Sequence, residues 1–79
     1  MFMITGIGAV GEVQFSAEND NRSIRGAYLG EGWHNPWTFS QYEYVENEDG
    51  EMGWFSTGVT EGHPTYENTV EAVKRFFLE

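Results

Sequence analysis

The pattern of apolar and polar residues predicts strands first and one helix last. Glu12, Val13, Gln14, Phe15 and Ser16 alternate with a period of two, which places Val13 and Phe15 on one face of a half-buried strand. The cluster Glu18, Asn19, Asp20 and Asn21 ends that strand in a turn, because Asn and Asp side chains bond their own main chain and tolerate left-handed geometry. A second strand is predicted over residues 22–29, with Ile24 toward the core and Gly26 marking a bulge. Residues 30–36 form the longest loop, since two glycines and Asn35 before Pro36 resist both helix and central strand. Trp37–Glu46 is the clearest strand, rich in aromatic and β-branched residues. Its apolar parity shifts between Phe39 and Tyr42, so either both faces are partly covered or a bulge near Ser40 and Gln41 turns the side chains over.

Asn47, Glu48, Asp49 and Gly50 then predict a tight hairpin, with residues 51–59 returning antiparallel. A two-residue loop sets Tyr44 opposite Phe55, and a three-residue loop sets Tyr44 opposite Trp54. Residues 60–64 read as a loop, and Thr65 as the cap of a closing helix. Along that helix Tyr66, Val70, Val73 and Phe77 recur on one stripe, flanked by Thr69, Ala72 and Phe76. The opening segment, residues 2–11, starts apolar and becomes glycine-rich, which weakens regular structure and suggests a flexible or bulged edge. The expected fold is α+β: one domain over residues 1–79, a small antiparallel sheet of about four strands, and a C-terminal helix packed on one face.

Composition narrows the chemistry. A chain of 79 residues has room for one small core and no large multi-step catalytic apparatus. It has no cysteine, so disulfides and thiolate zinc sites are excluded. No apolar stretch approaches the ~20 residues of a spanning helix, and residues 1–10 lack a basic leader region, so a soluble intracellular protein with no membrane partner is expected. Thirteen acidic residues against four basic ones give a net charge of −9, which repels a phosphate backbone and argues against direct nucleic-acid binding. Its abundant aromatics argue against disorder.

Local motifs carry little chemistry. Gly6, Gly8 and Gly11 match a dinucleotide fingerprint, but the period-two segment that follows is not the crossover helix such a site needs. The acidic hairpin lacks the spacing and flanking helices of a calcium-binding EF-hand. His34 and His63 each sit in a loop near a proline, with no ligand spacing between them. No catalytic residue, metal ligand or cofactor is therefore assigned, and the expectation is a non-enzymatic protein. A small metal-dependent hydrolase using His34, His63 and nearby acids is the reading from a different class.

The hairpin itself is the distinctive feature. Glu43, Glu46, Glu48, Asp49 and Glu51 fall within nine residues with no base among them. Same-face side chains on a strand repeat every ~6.6 Å, a spacing comparable to that of nucleic-acid phosphates. Tyr42, Tyr44, Trp33 and Trp37 lie near in sequence and would anchor a partner's arginines through cation–π contact. By size, absence of cysteine, acidity and this hairpin, the chain resembles the small acidic inhibitors of phages and mobile elements, notably anti-CRISPR and other DNA-mimic anti-defence proteins. That resemblance implies an inhibitor acting in the cytoplasm of a bacterial host for host-defence evasion. It would bind, as monomer or homodimer, a basic nucleic-acid-binding protein or CRISPR effector subunit, its carboxylates replacing phosphates. An immunity protein or antitoxin neutralising a nuclease is the nearest alternative, with the same physics.

Overall fold

The computed structural model describes residues 3–7 and 11–78, with side chains described from residue 11 onward. Five strands run in chain order: β1 (Met3–Ile7), β2 (Val13–Glu18), β3 (Arg22–Tyr28), β4 (Trp37–Glu46) and β5 (Met52–His63), followed by helix α1 (Tyr66–Leu78). Each strand pairs antiparallel with its sequence neighbours, so the sheet is a simple meander in the order β1-β2-β3-β4-β5. The α+β architecture read from the sequence is thus present. Its additional strand is β1, an edge strand whose register slips between Ile4 and Gly6, in keeping with a bulged edge. Gly8, Ala9 and Val10 of the dinucleotide-like motif lie outside the described residues.

Helix α1 covers one sheet face. Its buried stripe is Thr69, Ala72, Val73 and Phe76, which meets Phe15, Ala17, Ile24 and Phe39 of the sheet. This stripe is rotated from the one periodicity suggested: Tyr66 stays exposed, while small Thr69 and Ala72 let the helix approach the strands. Thr69 satisfies its buried hydroxyl by donating to the Thr65 carbonyl at 2.8 Å. Thr65 also caps the helix as expected, its Oγ1 accepting from the Asn68 amide at 3.1 Å.

The other end of the helix is held by the β2–β3 turn. Arg22 donates to the Phe76 carbonyl and lies over the Phe76 ring at 5.0 Å. Asn19 Nδ2 reaches the Phe77 carbonyl at 3.5 Å, while its Oδ1 accepts the Asn21 and Arg22 amides. One cationic donor and one amide donor therefore meet the negative end of the helix dipole.

Gly26 is not a bulge. The pairing of β3 with both neighbours runs through it without a slip. It sits between Phe15 and Phe39 in a cross-strand row, where a Cβ would come within 2.6 Å of the Phe15 ring and 2.7 Å of the Phe39 Cβ. The missing side chain is what lets the two phenylalanines share the core.

The irregularity near Ser40 and Gln41 is real, but its extra residues lie on β5. Ser40 pairs with Thr60 and Tyr42 with Ser56, so Thr57, Gly58 and Val59 bulge outward. The two faces of β4 explain its parity shift: Phe39 and Gln41 lie under the helix, while Tyr42 and Tyr44 lie on the uncovered face. Beyond the bulge β5 continues through Thr60, Glu61, Gly62 and His63, residues that composition suggested were loop. Pairing with the first half of β4 overrides their weak strand propensity.

Candidate functional site

Strand β3 begins opposite Glu43, and the last tie on that side is the Tyr44 amide donating to the Asn21 carbonyl at 2.9 Å. Past this point β4 and β5 run on alone as a two-stranded arm, residues 44–54. The protein measures 43 × 28 × 20 Å along its principal axes. An isolated two-stranded ribbon is marginal in water, so its loop and its cross-strand contacts matter.

The loop is built by Asn47. Its amide donates to the Glu51 carbonyl at 2.8 Å, and its carbonyl accepts from Gly50 at 3.1 Å. Its side-chain oxygen accepts the Asp49 and Glu51 amides, each at 2.9 Å. Gly50 takes φ +82, which the Asp49 and Gly50 pair signals in the sequence. The resulting register is that of the three-residue loop, with Tyr44 opposite Trp54 and ring centroids 5.2 Å apart. Such a ring pair is worth about 0.5–1.5 kcal/mol beyond the area it covers.

The arm's carboxylates have distinct positions. Glu48, Asp49 and Glu51 stand exposed in the loop, and Glu46 is exposed at the last strand pair, opposite Met52. Glu43 is half-buried in a row between Arg22 and Phe55, on the helix side. Between and behind these acids lie apolar groups on both faces. Tyr44, Met52 and Trp54 occupy the uncovered face, and Val45 and Phe55 the helix side beyond the helix. All five are 39–53 % exposed. Met52, Trp54, Phe55 and Val45 were not among the residues singled out as candidates for contact. Their signal was present in the cross-strand aromatic pairing that the hairpin predicts.

Tyr42 is half-buried and sits at the base of the arm, with the Arg25 guanidinium 6.0 Å from its ring. Trp33 and Trp37 are not brought to the carboxylates. Trp37 lies about 30 Å from Glu46 along the same strand at ~3.4 Å per residue. It packs with Phe15, Tyr28 and Tyr66 at the other end of the sheet. Trp33 is 62 % exposed in the β3–β4 loop at that same distant end.

Two further features adjoin the sheet. On the helix side, Gln41 donates to Glu61 at 2.6 Å and His63 Nε2 lies 3.0 Å from the other Glu61 oxygen. The His63 ring stacks on Phe39 at 5.8 Å, and Gln41, Glu61 and His63 line a recess of about 330 Å³ together with Arg75. On the uncovered side, a shallow concavity of about 570 Å³ is lined by Gln14, Ser16, Arg25, Thr38, Ser40 and Thr60. Ser40 and Thr60 bond each other there at 3.1 Å. His34 is exposed in the β3–β4 loop, and among the described residues no three of His, Cys, Asp and Glu stand where they could share a metal ion. No helix among the described residues is long and apolar enough to cross a membrane. Compared with known proteins, the chain matches no family model, no curated protein and no solved structure.

Proposed function

We propose that this is a non-enzymatic binding protein that inserts the arm formed by residues 44–54 into a basic groove of a nucleic-acid-binding protein. In that groove Glu46, Glu48, Asp49 and Glu51 take the places of phosphates, and Tyr44 and Trp54 add apolar and cation–π contact. The anti-CRISPR and DNA-mimic inhibitors, acting in the cytoplasm of a bacterial host, are the kind of protein this describes. The observation that carries the reading is the coincidence, on one projecting ribbon, of an uncompensated acidic loop with exposed rings on both faces. Rings left open beside carboxylates suit an arginine-rich surface better than a solvated turn needs to. A net charge of −9 steers such a molecule toward a basic partner and makes the encounter salt-dependent.

The test is comparative capture from host lysate, followed by DNA competition on whatever complex is captured. The wild type should retain a basic nucleic-acid-binding complex and displace its DNA. A variant with Glu46→Gln, Glu48→Gln, Asp49→Asn and Glu51→Gln together should lose both properties while keeping the fold. Equal capture by the variant, or a captured complex that still binds DNA normally, overturns the proposal.

A further inference from the structure

We infer that the outer edge of β5 is a strand-addition site, and that the partner presents there an extended segment alternating basic with apolar residues. The inference rests on the proposed function and specifies how the arm is gripped.

Strand β5 closes one side of the sheet, and among the described residues no strand pairs with its outer side. Edge strands are ordinarily protected by shortness, lysine, proline or a bulge. This one spans 12 residues, Met52–His63, with neither lysine nor proline. Among those devices it carries the bulge at Thr57, Gly58 and Val59, which leaves the stretch before it, residues 52–56, regular and free of charged side chains.

The hydrogen-bond phase of that stretch follows from the loop. Asn47 and Glu51 form a hydrogen-bonded pair. Opposite residues in an antiparallel ladder alternate between bonded and non-bonded pairs. Val45 with Gly53 and Glu43 with Phe55 are therefore bonded inward. Glu46 with Met52, Tyr44 with Trp54 and Tyr42 with Ser56 are the non-bonded pairs. The amides and carbonyls of Met52, Trp54 and Ser56 consequently point out from the open edge, a ready template for a further strand.

Side chains flanking that template set its chemistry. A strand added there places alternate residues beside Trp54 on one face and beside Phe55 on the other. On the Trp54 face Tyr44 and Glu46 lie one strand further in, so an arginine can stack on the indole and approach a carboxylate. On the Phe55 face the Phe55 ring leans over Gly53 and Val45 lies one strand further in, an apolar surface that suits a branched apolar residue. A second copy of this chain is the wrong occupant, because each copy brings nine net negative charges and β5 offers no lysine or arginine to its twin. Charge complementarity selects a basic segment.

The probe is a synthetic peptide alternating arginine and valine, titrated into the full chain with residue-resolved amide exchange as the readout. On saturation, exchange at the Trp54 and Ser56 amides should slow by about tenfold or more, while Gly53 and Phe55, already bonded inward, change little. Ser56→Pro removes one outward donor and should weaken the peptide about tenfold or more. Ser56→Ala loses the same hydroxyl, keeps the amide and should bind as the wild type does. Should Ser56→Pro unfold the arm, the exchange data on the wild type decide alone. Failure of the peptide to bind, binding with Trp54 and Ser56 unprotected, or equal affinity of a folded Ser56→Pro overturns the inference. Binding that leaves the edge unprotected yet is lost in the quadruple carboxylate variant removes the edge site and spares the charge reading. Edge protection that survives in that variant removes the charge reading and spares the edge site.

Discussion

The two ends of β4 are made of similar residues and come to opposite states. Phe39 is 1 % exposed beneath the helix, whereas Tyr44, on the same strand, is 39 % exposed beyond it. The partner strand shows the same contrast, for Glu61 and His63 are tied to Gln41 and Phe39 while Trp54 and Phe55 face solvent. What separates the ends is the company each keeps. One end has β3 on its flank and α1 on its face; at the other, Tyr44 and Trp54 lie past the last β3 pair, and Phe55 stands in that last row. Burial is thus settled by the reach of the neighbouring elements, and the arm exposes rings because its neighbours stop short.

The sharpest way to break this comparison is to truncate a phenylalanine at each end. Phe39→Ala should cost about 3–5 kcal/mol, enough to unfold much of the population of so small a domain. Phe55→Ala, starting 43 % exposed, should cost less than about 1 kcal/mol. Urea midpoints measure both, and equal losses would mean the arm is as much a part of the core as the covered half. Gly26→Ala should follow in size. Its new methyl would lie 2.2 Å from the Thr38 carbonyl oxygen and within 2.7 Å of two phenylalanines, and overpacking of this kind costs about 1–3 kcal/mol or more. A neutral outcome would show that the covered half has slack. The smallest global effect belongs to Asn47→Ala, which strips two loop amides of their acceptor. A local loss of about 1 kcal/mol should speed amide exchange at Gly53 and Phe55 about fivefold and move the urea midpoint little. A global shift of the same size would show that arm and body unfold together.

Much of this was legible locally. The Asx turn at Asn19, the Asp49 and Gly50 hairpin, the Thr65 cap and the helix all follow from interactions among residues close in sequence. The acidic content of the arm was legible for the same reason. Features that depend on distant pairing were not. Residues 60–63 become strand because β4 needs a neighbour there. Gly26 looked like a bulge because its two phenylalanines belong to other strands. Trp37 and Trp33 are close in the chain, but one points into the Phe15, Tyr28 and Tyr66 cluster and the other to solvent. The loop around Trp33 and the strand beginning at Trp37 were legible, but the cluster that receives Trp37 comes from three other elements.

The hold of Arg22 on the Phe76 carbonyl joins residues 54 apart in the chain. Closing a free loop of that length costs about 3–4 kcal/mol from its logarithmic term alone. The meander removes most of that cost if it forms first. Once β3, β4 and β5 are zipped, Arg22 is already anchored to the ladder, and only Pro64 and Thr65 separate the end of β5 from the start of α1. The helix then lands from a short tether, and a contact that is distant along the chain becomes near in time. The topology therefore favours an order of events in which hairpins assemble one by one, fast and locally, and the helix closes over them last.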